Sequence, residues 1–190
     1  MQAPLTVRRW TRDEYERLVD FGVFQRDPVE LIGGQLIVAE PQGSYHATAV
    51  GAVDDALRAI LPPGWIVRAQ MPIALDEESA PEPDVVVVRG TRGDYRASHP
   101  ARPVLILEVA DSSLEFDRQH KGSLYARAGI LDYWILNLID RVLEVLREPV
   151  ADASALYGWR YRSVHTFTSQ SVVAPLALPS LPIAVADLLP

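Results

Sequence analysis

The sequence predicts an α/β fold in which a mixed central β-sheet is flanked by helices. Three observations carry that expectation. Two short runs of branched apolar residues, Val85–Val88 and Val104–Leu107, read as strands buried on both faces. Segments with apolar residues at three-and-four spacing lie before and between such runs. Helical and strand-like segments alternate unevenly, as they do when some strand neighbours are antiparallel and some parallel. The 190 residues, 48% apolar and 23% charged, are expected to form one domain, 1–190. A chain of this size can bury about 70% of its unfolded surface without disulfides.

The first helix starts at a capping box, Thr11 with Glu14 three residues on, with Trp10 placed to staple onto Tyr15, and Gly22 stops it. Val29–Ile32, Gly33-Gly34 and Gln35–Val38 then read as a hairpin closed by a two-residue turn. A second helix is expected from Ser44 to about Leu61, because His46, Val50, Val53, Leu57 and Ile60 share one face, and Pro62-Pro63-Gly64 ends it. Trp65 to Met71 and a weaker piece at Ile73 to Leu75 read as strands, followed by the valine run. The Val104–Leu107 strand ends in Glu108-Val109. A third helix is expected from Asp117, as cap, to Ala128, with Gly129 as its stop and Lys121, Leu124, Tyr125 and Ala128 on one face. Tyr133–Leu136 and Val142–Arg147 form the next strand pair, Tyr157, Trp159 and Tyr161 alternate along a further strand, and a Pro-rich apolar tail follows Ala174.

Composition narrows the chemistry. With no cysteine, thiolate zinc sites, disulfide chemistry and cysteine nucleophiles are excluded. The net charge of −7 counts against non-specific adhesion to nucleic acid, though a carboxylate site that holds a divalent cation adds negative charge of its own. No apolar run approaches the roughly 18 residues a membrane span needs, so a cytoplasmic location with no membrane partner is expected. Of the 18 basic residues only Lys121 is a lysine. A compact ammonium kept where arginine is used everywhere else suits a site that a planar guanidinium would not fit.

Two acids interrupt buried strands: Asp84 opens the valine run and Glu108 closes the Val104–Leu107 run. An ionised carboxylate in such surroundings is costly unless a cation or donor satisfies it. Neighbouring strands would bring the two acids to one sheet rim, where they suit Mg²⁺ or Mn²⁺, since hard cations take oxygen ligands. The competing reading is a pair of strand-end acids facing solvent. Lys121, thirteen residues after Glu108, can return over the same rim and neutralise charge on a phosphoryl group. Its bland alternative is an i,i+4 pair with Asp117.

The ordered set Pro83-Asp84, Glu108 to Ser113, Asp117 with Lys121 and Tyr125, and Gly129 to Trp134 resembles the Uma-two putative restriction endonuclease family, of the PD-(D/E)XK nuclease superfamily. The resemblance reaches back through Glu30–Gly34 and His46 and fades after Pro149. It implies a restriction-endonuclease-like core at about 28–149, with the 11–21 helix before it and strands and tail at 150–190 behind. It implies, further, a Mg²⁺ (or Mn²⁺) site that hydrolyses DNA phosphodiester bonds to leave a 5′-phosphate and a 3′-hydroxyl. On this chain Asp84 and Glu108 match the metal-binding acids, and Glu30 resembles an additional N-terminal acid. The superfamily's lysine stands two positions after the glutamate, where this chain has Ala110, and Lys121 resembles its migrated replacement.

Around this core set, His46 on the inward helix face is either a phosphate or water contact or a satisfied core histidine. Asp117 is placed to orient Lys121, and Tyr125 shares its face. Asp111 and Gln70 are further rim candidates, each equally readable as an ordinary loop or strand-edge residue. His99, His120 and His165 form no zinc spacing with one another. A homodimer would suit two cuts on a duplex. Two other functions compete: a catalytically inactive nuclease-fold binding or assembly module, and a small phosphoester hydrolase. The latter is weakened because Gly33-Gly34 sits in a hairpin and no Gly-rich phosphate loop precedes a helix.

Overall fold

The computed structural model describes residues 6–25, 27–38 and 41–190. The capping box forms as expected: α1 (Arg12–Asp20) begins at Thr11, whose hydroxyl accepts from the Glu14 N–H. The Tyr15 hydroxyl donates to the Val29 carbonyl at 2.6 Å, which ties the helix to a hairpin of β1 (Val29–Ile32) and β2 (Gln35–Val38). Its turn needs left-handed backbone at both Gly33 (φ +54°) and Gly34 (φ +78°), a conformation glycine adopts without a side-chain clash. Val29 and Leu31 bury against Tyr15 and Ala80. Strand alternation then turns Glu30 the other way, towards the sheet rim.

The main sheet has six strands in the order β3 (Trp65–Ala69), β4 (Val85–Arg89), β5 (Leu105–Ala110), β6 (Asp132–Asn137), β7 (Val142–Ala151), β8 (Trp159–Phe167). Only β5 and β6 pair in parallel; every other neighbour is antiparallel. The sheet is therefore mixed, as the sequence predicts. Its valine run is buried on both faces because each face carries a helical layer. Val85 and Val87 meet Val50, Val53 and Leu57 of α2 (Ser44–Ile60), while Val86 and Val88 join a cluster with Leu124 and Tyr125. Burial of each such side chain contributes about 1.5–3 kcal/mol. The apolar tail closes the α2 face: Val173 and Ile183, in a small pair of β9 (Val172–Val173) and β10 (Ile183–Ala184), pack there with Val185 and Leu188.

Three expectations are corrected. Ile73 and Leu75 are buried but not in a strand, since Ile73 and Leu75 bond to Pro81 and Ser79 across a loop and not to a sheet neighbour. The strand with the alternating aromatics starts later than expected: Tyr157 lies before β8, Trp159 opens it and is exposed, and Tyr161 is buried. Most consequentially, Asp117 does not cap a helix. The helix starts earlier as α3 (Leu114–Phe116), passes through a π-helical stretch (Asp117–Lys121) and continues as α4 (Gly122–Arg127). Asp117 is thus an interior, buried residue whose carboxylate takes the Ser113 hydroxyl at 2.6 Å.

The π stretch has a geometric effect. An α-helix advances about 100° per residue, so residues spaced by four drift about 40° at each step. A wider π turn drifts in the opposite sense. One step of each keeps Asp117, Lys121 and Tyr125 on a single line facing the sheet, and all three are buried. Among the described residues no helix is long and apolar enough to cross a membrane.

Candidate active site

Strand register builds the site. Val85 opposes both Ala69 and Leu107, so extending the two antiparallel registers by one position aligns Gln70, Asp84 and Glu108 across three adjacent strands at one rim. Glu108 also alternates with Ile106 and Ala110, which face the layer that carries Tyr125, and so it projects beneath the line Asp117–Lys121–Tyr125. The hairpin supplies Glu30 from one side and α2 supplies His46 from the other.

The contacts are dense. Glu108 accepts the Tyr125 hydroxyl at 2.7 Å on Oε1 and the Asp84 N–H at 3.2 Å on Oε2. Lys121 Nζ stands 3.1 Å from the same Glu108 Oε1, 3.8 Å from Asp117 Oδ1 and 3.9 Å from Glu30 Oε2. Asp84 Oδ2 accepts the Val109 N–H at 2.8 Å and lies 3.3 Å from His46 Nε2, and Asp84 Oδ1 lies 3.4 Å from Gln42 Nε2. All seven residues singled out in the sequence, Glu30, His46, Asp84, Glu108, Asp117, Lys121 and Tyr125, therefore converge. The i,i+4 pair with Asp117 and the approach of Lys121 to Glu108 at the rim occur together.

One buried ammonium serves several carboxylates, and proton affinities shift accordingly. Burial pushes Glu108 up, to about 8; Lys121 opposes this, and Asp117, Asp84 and Glu30 add to it. Asp117 is raised by burial, with Lys121 and the Ser113 hydroxyl opposing. Burial alone would lower Lys121, but Glu108, Glu30, Asp117 and Asp84 outweigh it and hold the proton on. For His46 burial also acts downward, and the hydrogen bond and charge of Asp84 win, leaving it raised. Burial keeps the Tyr125 phenol protonated, so that it donates to Glu108.

Apart from Tyr125, which is fully buried, these groups line a cleft of about 380 Å³ whose wall also includes Ser112, Phe116 and Gln42. Glu82 lines it as well, a residue that sequence reasoning missed. Its N–H donates to Glu30 Oε2 at 3.0 Å, and burial followed by the Glu30 charge raises its carboxyl. The signal was present in Pro81-Glu82-Pro83-Asp84, an acid between two prolines next to the rim acid. Asp111 stands exposed on the cleft's lip, whereas Gln70, at the rim by its backbone, does not line the cleft and turns its side chain to Gln42. His120 stacks on Phe116, and His99 lies beside Arg68, away from the acids.

Among the described residues no three or more His, Asp or Glu are grouped so that together they could hold a metal ion. Asp84 and Glu108, with Glu30 near, offer hard oxygen donors of the kind Mg²⁺ or Mn²⁺ takes, an ion that commonly uses one or two carboxylates and leaves the rest to water and phosphate. The buried ammonium at 3.1 Å from Glu108 marks the same point as a place for positive charge.

Fold and rim together define a mixed α/β protein of the restriction-endonuclease-like kind, with an acidic, lysine-centred site. The profile of the Uma2 family, described as putative restriction endonuclease, matches residues 12–186, and the chain belongs to that family. The match runs past Pro149, where the motif resemblance fades, consistent with β8 pairing along β7. The crystal structure of a putative nuclease belonging to DUF820 from Anabaena variabilis ATCC 29413 shares the fold, with a TM-score of 0.67 at 17% identity, over 94% of this chain and 97% of that one. No curated protein matches the chain.

Proposed function

We propose that this protein is a divalent-metal-dependent endonuclease of the PD-(D/E)XK type that hydrolyses DNA phosphodiester bonds. The observation that carries the reading is the excess of carboxylates around one buried lysine at the rim of a Uma2-family fold. Buried acids without matching cations are held at a cost, and binding a divalent cation offsets it. Asp84 and Glu108 would hold Mg²⁺ or Mn²⁺, with Glu30 within reach. The metal, when bound, supplies Lewis acidity and a more acidic water at the phosphodiester.

The chain's own groups do the rest. The Lys121 ammonium orients a water through a donated hydrogen bond and neutralises charge that develops on the phosphoryl oxygens. Asp117 and Tyr125 fix that geometry, Asp117 by pairing with Lys121 and Tyr125 by donating to Glu108. His46 and the Val109 N–H orient Asp84. Cleavage of both strands of a duplex calls for two such sites, which a homodimer would provide.

The test is cleavage of supercoiled, linear, single-stranded and branched DNA by purified protein with Mg²⁺ or Mn²⁺, against EDTA and Lys121→Ala controls. Cutting that both controls abolish is the expected result. Metal-dependent cutting that survives in Lys121→Ala or Glu108→Ala overturns the residue assignment. A folded protein that neither cuts nor gains thermal stability from metal through Asp84 belongs to the binding-module class instead.

A further inference from the structure

We propose that Gln42 and Gln70 are positioning residues for Asp84, an arm of two amides that reaches from the edge strand and holds the carboxylate in its metal-binding orientation. The inference rests on the nuclease reading above and extends it to residues that reading does not use.

Asp84 has one oxygen already committed. Oδ2 takes the Val109 N–H at 2.8 Å and faces His46 Nε2 at 3.3 Å. Among the described residues, the partner of Oδ1 is Gln42 Nε2, at 3.4 Å. With its amide nitrogen turned to Asp84, Gln42 must present its oxygen to the other side, and there Gln70 Nε2 donates to it at 2.5 Å. Only one orientation of the two amides satisfies both bonds, so the pair acts as a directed relay and not as two independent contacts.

The backbone of Gln70 carries an independent signal. Its φ is +50°, in the left-handed region, which an ordinary side chain occupies at a cost. The Gln70 N–H donates to the Asp84 carbonyl at 2.9 Å, so the unusual conformation is fixed against the very residue the side chain serves. Both glutamines are solvent-exposed, so neither fills the core. If stability alone set position 70, glycine would suit its backbone better. A side chain kept on a strained backbone and bonded to Gln42, the amide that meets the Asp84 carboxylate, points to the site.

The experiment is a Mg²⁺ titration, followed calorimetrically and by DNA cleavage rate, on the full-length wild type, Gln42→Ala, Gln70→Gly, the double variant and Asp84→Ala, with thermal melts in EDTA. Gln70→Gly is expected to melt at or above the wild-type temperature while its apparent Mg²⁺ affinity falls about tenfold, the scale of losses seen when the partner of a metal ligand is removed. Gln42→Ala falls by as much, and the double variant is no worse than Gln42→Ala, because the two act in series. Saturating Mg²⁺ restores cleavage to these three variants and not to Asp84→Ala. Unchanged Mg²⁺ affinity in both single variants, or losses that multiply in the double, overturns the relay while leaving the nuclease reading intact. A folded wild type that neither binds Mg²⁺ nor cuts overturns the nuclease reading, and the relay with it.

Discussion

Glu108 and Asp132 sit on adjacent strands, β5 and β6, with 2% and 0% of their surface exposed, yet they are opposite kinds of buried acid. Asp132 is fully partnered. It accepts the Trp134 indole N–H at 2.8 Å, Arg147 Nε at 2.7 Å and the Leu176 N–H at 2.6 Å, and among the described residues the guanidinium pairs with no other carboxylate. Glu144 repeats the pattern with Arg118 Nε at 3.0 Å and Asn137 at 3.0 Å. Glu108 instead shares Lys121 with Asp117 and Glu30, and Asp84 is beside it. Burial is common to both kinds of acid, and what differs is the supply of positive charge: a guanidinium each for Asp132 and Glu144, against one ammonium shared by Glu108, Asp117 and Glu30.

The largest effects should separate these two classes. Glu108→Gln and Lys121→Ala are expected to lower cleavage at least a thousandfold, with Glu108→Gln melting at or above the wild-type temperature because it removes one of several repelling acids. Asp132→Ala should do the reverse: it leaves Arg147 unpaired and costs about 3–5 kcal/mol. For a domain of this size that lowers the melting temperature by roughly 10 °C, while cleavage per folded molecule is retained. Loss of activity in Asp132→Ala without loss of stability would break the contrast.

Next in size is a pH effect confined to the site. In EDTA, native Glu108 keeps a proton to about pH 8 that the unfolded chain has released above its ordinary carboxyl range. The native state then binds more protons than the unfolded one, so stability falls as pH rises from about 5 to about 8. Denaturant melts across that range should show the slope, and Glu108→Gln should flatten it. Metal requires deprotonated ligands, so apparent Mg²⁺ affinity should climb over the same interval. The smallest effect belongs to the surface: the Asp13–Arg17 pair spans two highly exposed side chains, and Arg17→Ala should shift the melting temperature by less than about 2 °C.

Much of the site was legible because its acids violate local rules. Asp84 and Glu108 break apolar strands, Lys121 stands alone among arginines, and period-two alternation turns Glu30 away from Val29 and Leu31. Gln42 was not, since it lies in a loop with no period to violate, and Glu82 had only its place between two prolines beside Asp84 to mark it. Asp117 was misread as a cap because an Asp before an apolar face carries that local signature. Its actual role depends on Lys121 drawing its carboxylate inward, and on a π stretch that no spacing announces.

What the sequence determined by itself was the set of elements and the residues that do not belong in them. Apolar periodicity, capping residues and paired glycines are local, and they specify hairpin, helices and double-sided strands before any of them meet. Which acids share a cation was decided only by the tertiary structure. That outcome depends on the antiparallel registers that align Gln70, Asp84 and Glu108, and on the helical line that lowers Lys121 onto them. Electrostatic energy depends on distances in space, and those are fixed only when strands from distant parts of the chain pair.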